Sequence, residues 1–212
     1  VTPARVAVLA SGGGTNLQAL LDAGTANAPY RVTRVISNRA DAGALDRARR
    51  AGLAAIVLKN PLDPAELLGA LGDADLVVLA GYLKLVPAPV VARFRWRMIN
   101  IHPALLPAFG GDGMYGLRVH AAVLASGATV TGVTVHYVDE AYDRGPVIAQ
   151  WPVPVRPGDT PDALASRVLA VEHRLLPAVV AELARRGFAP GVRLHLTGAG
   201  FASGDTPSLD LR

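Results

Sequence analysis

Arg5-Val6-Ala7-Val8-Leu9-Ala10-Ser11-Gly12-Gly13-Gly14-Thr15-Asn16-Leu17-Gln18 is the stretch on which the reading of the chain turns. A short apolar run stops at Ser11, three glycines follow, and helical periodicity begins at Asn16. A buried strand over residues 5–10, a tight turn and a helix over 16–23 form the opening unit of a sheet whose strands alternate with helices. The turn carries chemistry as well. Backbone amides exposed at a helix N-terminus attract anions, so a phosphate cradle is the natural reading. A P-loop would need a lysine that is absent here. A dinucleotide fingerprint would need a glycine where Leu17 sits and an acid ending the second strand, which instead ends Ser37-Asn38-Arg39. Both mismatches point away from ATP and NAD and towards a single sugar phosphate.

The same alternation continues outward. Strands are expected over residues 32–37, 54–58, 76–80 and 98–101, with helices over 42–51, 64–71, 87–94 and 117–125. Two later strands, 129–138 and 147–155, are separated by a short connection, which suits an antiparallel pair at the sheet edge. A long helix is expected over 160–186, with Leu164, Val168, Val171, Leu175, Val179 and Leu183 on one side, a kink at Pro177 and a stop at Gly187. One further strand, 192–196, precedes a Gly/Ser/Thr tail. The fold class is therefore α/β: a Rossmann-like, open, mostly parallel sheet with helices on both faces and an antiparallel edge in the C-terminal half. Residues 1–189 are read as a single domain and 190–212 as a tail.

Composition narrows the function classes. Of 212 residues 51% are hydrophobic and 18% charged, ample for a core. The absence of cysteine rules out a disulfide scaffold or a thiolate metal site. No apolar run is long enough to cross a bilayer and no signal-peptide pattern opens the chain, so a cytoplasmic protein without a membrane partner is expected. The net charge of +4 comes almost wholly from arginine, Lys59 and Lys84 being the only lysines. Those arginines are spread along helical stretches rather than gathered beside aromatics, which fits a small anionic substrate better than a nucleic acid.

The residues closing the fifth strand are the chemical candidates. In Met98-Ile99-Asn100-Ile101-His102-Pro103, Asn100 and His102 are two apart, so both side chains leave one face of the strand, and Pro103 ends it. An amide can hold a developing oxyanion and an imidazole can handle a proton, a pairing suited to acyl chemistry. The acid-rich stretch Val138-Asp139-Glu140-Ala141-Tyr142-Asp143 could bring a carboxylate to His102 if it folds over the sheet's carboxyl end. His136 could face either core or site. The glycine-rich residues 110–116 are read as a candidate lid. No histidine spacing resembles a metal-binding motif, so no metal is expected.

These motifs, taken in order, resemble the folate-dependent glycinamide ribonucleotide transformylases of purine synthesis, members of the formyltransferase superfamily. The resemblance rests on Ser11 to Gln18, Ser37-Asn38-Arg39, Leu79-Ala-Gly-Tyr82-Leu-Lys84, Asn100-Ile-His102-Pro-Ala-Leu-Leu-Pro107, Gly132 to Val138, Asp143 to Gln150 and Glu172-His173. It implies an enzyme transferring the formyl group of 10-formyltetrahydrofolate, as co-substrate, to the amine of 5-phosphoribosylglycinamide. By that resemblance Asn100, His102 and Asp143 are catalytic. Gly12, Gly13, Gly14, Thr15, Asn16 and Glu172 bind the ribonucleotide; Leu83, Lys84, Leu85, Val86 and Asn100 meet the folate. Residues 60–71 lack the basic residue by which the family touches folate before the fourth strand. The small-molecule substrates would be the partners of a monomer or homodimer. Two alternatives are another folate formyl-transfer or hydrolysis enzyme of the superfamily and a non-catalytic nucleotide-sensing module.

Overall fold

A computed structural model describes residues 2–197 together with residues 210 and 211. Seven strands form one sheet: β1 (Ala4–Leu9), β2 (Tyr30–Ser37), β3 (Ala54–Val57), β4 (Leu76–Leu79), β5 (Met98–His102), β6 (Val130–Tyr137) and β7 (Val147–Pro154). Their order is β3-β2-β1-β4-β5-β6-β7. The first five run parallel, whereas β6 pairs antiparallel with both β5 and β7. The mixed sheet with its antiparallel C-terminal edge is the expected one.

Helices cover both faces: α1 (Thr15–Ala23), α2 (Gly43–Arg50), α3 (Pro64–Leu71), α4 (Ala88–Arg93), α5 (Leu117–Ala125) and α6 (Pro161–Arg185). Strand side chains alternate between two cores, as a pleat requires. Val6, Val8, Leu76 and Val78 join a core with Leu17 and Leu20 of α1 and the apolar stripe of α6. Ala7, Leu9, Val77 and Leu79 join the other, with Leu67 and Leu71 of α3 and Val90 of α4. Burial on both faces is why these strands read as continuous apolar runs rather than alternating ones.

One sequence expectation needs adjustment. The strand expected at 192–196 shrinks to β8 (Leu196–Thr197), paired with β9 (Asp210–Leu211). Its earlier residues instead pack on the domain: Leu194 is buried, and its N–H donates to the Ile148 carbonyl at 2.7 Å. One crossing bond of that kind satisfies the backbone without building a ladder. The rest of the expected tail, residues 198–209 and 212, lies outside the described residues. No helix among the described residues is long and apolar enough to cross a membrane.

Candidate active site

The strand order reverses direction at β1, with β2 on one side and β4 on the other. In open parallel sheets a crevice opens beyond the strand ends at such a switch point. Here the segments following β1, β4 and β5 enclose a cleft of about 480 Å³, a size suited to small molecules. Leu83, Lys84, Leu85 and Val86, Gly111 to Leu117, and Asn16 and Glu172 all line it.

Within this cleft Asn100, His102 and Asp143 converge. Asp143 Oδ1 accepts a bond from Asn100 Nδ2 at 3.3 Å, and Asp143 Oδ2 lies 3.4 Å from His102 Nδ1. The Gly111 amide donates to Oδ2 at 2.9 Å. Asp143 is held in the left-handed region, φ 56°, which presents its carboxylate across the cleft. Gly110 packs where these segments meet: a Cβ there would lie 2.4 Å from a Leu106 methyl and 3.2 Å from Asp143 Cβ. The glycine-rich segment read as a lid thus forms a wall bonded to the acid.

Partners fix the ring protons. His102 Nε2 faces the Phe109 carbonyl at 2.8 Å and must carry hydrogen, leaving a lone pair at Nδ1 in the neutral ring. His136 Nδ1 faces the Tyr137 carbonyl at 2.8 Å, so its Nε2 accepts from Asn100 Nδ2 at 3.0 Å. His136, left open by the sequence, therefore belongs to the site. Burial holds the His102 ring below its ordinary pKa, against the opposing pull of Asp143 and the Phe109 carbonyl. Burial pushes the Asp143 carboxyl up, but the neighbouring histidines and the Gly111 amide outweigh it, and the group stays below the ordinary carboxylate range. The pair is thus a carboxylate beside a neutral imidazole at neutral pH.

Also in the cleft lining, Asn16 Nδ2 donates to Glu172 Oε2 at 2.5 Å. Burial raises the Glu172 carboxyl, with the Asn16 bond pulling the other way. Asn16 Oδ1 is buried and has no partner among the described residues. The preceding turn is anchored by its carbonyls: Gly12 O accepts from the Ala44 amide at 3.0 Å and Gly13 O from Arg47 Nε at 2.7 Å. Gly14 has φ 74°, and a Cβ there would lie 2.7 Å from Ala44 Cα, so only glycine fits. Gly12, Gly13 and Gly14 do not line the main cleft; Thr15 lines a neighbouring depression with Arg47 and His173.

Of the expected residues, Asn16, Glu172, Leu83 to Val86, Asn100, His102 and Asp143 share one cleft. Sequence reasoning missed His120, which lines it with a buried Nδ1 lacking a partner among the described residues. It also missed the Phe109 carbonyl and Gly111 amide, because backbone groups carry no sequence signal. Among the described residues no group of three or more acidic or histidine side chains could hold a metal ion.

Residues 4–180 match the formyl transferase family. The chain is 41% identical over 193 residues to the phosphoribosylglycinamide formyltransferase of Mycobacterium tuberculosis H37Rv, covering 87% of each. It is 44% identical over 188 residues to the chloroplastic phosphoribosylglycinamide formyltransferase of Arabidopsis thaliana, covering 83% of this chain but only 64% of the plant protein. The crystal structure of phosphoribosylglycinamide formyltransferase from Anaplasma phagocytophilum superposes with a TM-score of 0.81 at 36% identity, covering 98% of this chain and 94% of that one. The family match spans most of the chain and the identities run along nearly all of it, and the chain belongs to the formyl transferase family.

Proposed function

We propose that this cleft transfers the formyl group of 10-formyltetrahydrofolate to the primary amine of 5-phosphoribosylglycinamide, a step of purine biosynthesis, in the cytoplasm. The observation that carries the reading is the meeting of Asn100 Nδ2 and His102 Nδ1 on one carboxylate, at 3.3 and 3.4 Å, within a cleft that Asn16 and Glu172 also line. The relatives' names supply the acceptor, phosphoribosylglycinamide, and the formyl group; the folate donor comes from the sequence resemblance. Residues 1–189 are taken as the catalytic domain and 190–212 as a tail.

In this reading the amides of Gly12 to Asn16 hold the phosphate and Glu172 the ribose hydroxyls. Leu83 and Leu85, both partly exposed, offer apolar walls to the folate rings, with Lys84 beside its carboxylates. The substrate amine attacks the formyl carbon, and the carbonyl electrons move onto oxygen. Asn100 Nδ2 gives up its long bond to Asp143 and donates to that oxyanion, an interaction worth about 3 kcal/mol per donor in comparable sites. His102 Nδ1 takes the proton lost by the attacking nitrogen, and Asp143 stabilises the resulting imidazolium. The bond from carbon to the folate nitrogen then breaks, and that nitrogen receives the proton. Binding both reactants in one cleft removes much of the entropic barrier.

Following 10-formyltetrahydrofolate absorbance with and without the ribonucleotide tests this. Consumption only when both are present is expected. Equal consumption without the amine, or none with it, would reject the reading.

A further inference from the structure

We infer that Thr134, acting with Gln150, is a positioning pair that sets the His102–Phe109 turn and through it the orientation of the His102 ring. The inference rests on the formyl-transfer reading for its catalytic consequence alone.

Thr134 is fully buried on β6 and stands opposite His102 in the register with β5. Its hydroxyl donates to the Ala104 carbonyl at 2.7 Å and accepts from the Leu106 amide at 3.0 Å. The second lone pair accepts from Gln150 Nε2 at 3.0 Å, and the same Gln150 nitrogen donates to the Leu106 carbonyl at 2.9 Å. One hydroxyl thereby uses its full bonding capacity, and three backbone groups of one short turn are tied to two strands. The turn needs outside help, because Pro103 and Pro107 bring no N–H of their own. Just past it, Phe109 is held in the left-handed region at φ 56°, and its carbonyl receives the His102 Nε2 proton.

Side chains two apart share a strand face, so Thr134 and His136 leave β6 together. Thr134 braces the turn after His102, while His136 braces Asn100. A single strand therefore registers both members of the amide–imidazole pair. Were Thr134 only a satisfied core polar group, its loss would cost stability and leave the ring's surroundings unchanged.

The test is the ring titration of His102, read by nitrogen NMR in the intact protein, in wild type, Thr134→Val, Thr134→Ser and Gln150→Met. The charged or titratable groups facing the ring are Asp143, His136 and His120, and none is altered. In T134V the titration moves to lower pH, because the Phe109 carbonyl that favours the imidazolium is displaced. T134S recovers the wild-type curve, and Q150M shifts in the same direction as T134V. Turnover of T134V falls by about 10²-fold with KM for either substrate little changed, the loss expected from an ångström-scale misplacement. A lower melting temperature with an unmoved His102 titration overturns the inference, as does a T134S that behaves like T134V. If T134V does not fold, an unmoved titration in Q150M overturns it instead. A wild-type protein that titrates as described yet transfers no formyl group would reject the formyl-transfer reading alone.

Discussion

Asp143 does three things at once: it accepts from Asn100, faces His102 Nδ1, and anchors the Gly111 amide. Asp143→Asn keeps the shape and removes the charge, so turnover should fall by about 10²-fold or more while the protein stays folded. Asn100→Ala should do likewise by removing the donor that the proposed mechanism gives to the oxyanion. The pH profile follows from the sign of each shift. In the proposed mechanism His102 must be neutral to take a proton, and burial depresses its pKa, so activity should be retained below the ordinary histidine value of 6.5 and fade as pH drops further. The Asp143 charge supports the imidazolium, so D143N should move the His102 titration lower still; a move upward would contradict the assignment. Stability has the same sense. The folded ring resists protonation, so stability declines as pH falls from 6.5 through the folded value. Asn100 and His102 were legible in the sequence because strand alternation fixes their common face. Spacing alone offers Asp143 only as one acid among several, because a turn's path over the sheet is not encoded in spacing; the family resemblance is what singles it out. His136 obeys the same alternation as Thr134, but which face of β6 met the site depended on pairing with β5.

Among the elements, the unit from β1 to α1 was read from sequence nearly residue by residue, since three glycines mark its turn. What the sequence did not reveal is why the third glycine is required: α2 packs so closely that a Cβ on Gly14 would strike Ala44. Gly14→Ala combines that overlap with a positive φ and should cost about 2 kcal/mol or more. A urea titration reads the loss, and KM for the ribonucleotide should rise more than KM for folate. Helix α6 tests the converse. Its N-cap Thr160 accepts from the Ala163 amide at 3.2 Å, so Thr160→Ala should cost about 1 kcal/mol. The apolar stripe of α6 was readable, since Leu164, Val168, Leu175, Val179 and Leu183 are all buried. The strand expected over 192–196 is not a ladder along its length: Leu194 makes one bond to β7 and fills the core instead.

At the scale of the whole molecule, the sheet order explains why residues far apart in sequence share a cleft. Reversal at β1 leaves the ends of β1 and β4 open to one crevice, and the antiparallel turn before β7 brings Asp143 over β5. Fold class followed from the alternation of apolar and amphipathic segments, but convergence at one rim could only be surmised until strand order was known. The glycine turn sits beside the main cleft rather than in its wall. A ligand bridging both must therefore extend from the Asn100 end past Asn16, as a sugar phosphate bearing an amine would. The most direct measurement of that claim is to supply 10-formyltetrahydrofolate labelled with carbon-13 in the formyl group, together with glycinamide ribonucleotide, and identify the labelled product by mass spectrometry. Label in an amide on the ribonucleotide's glycine nitrogen is the predicted result; label released as free formate, or left on the folate, would contradict it.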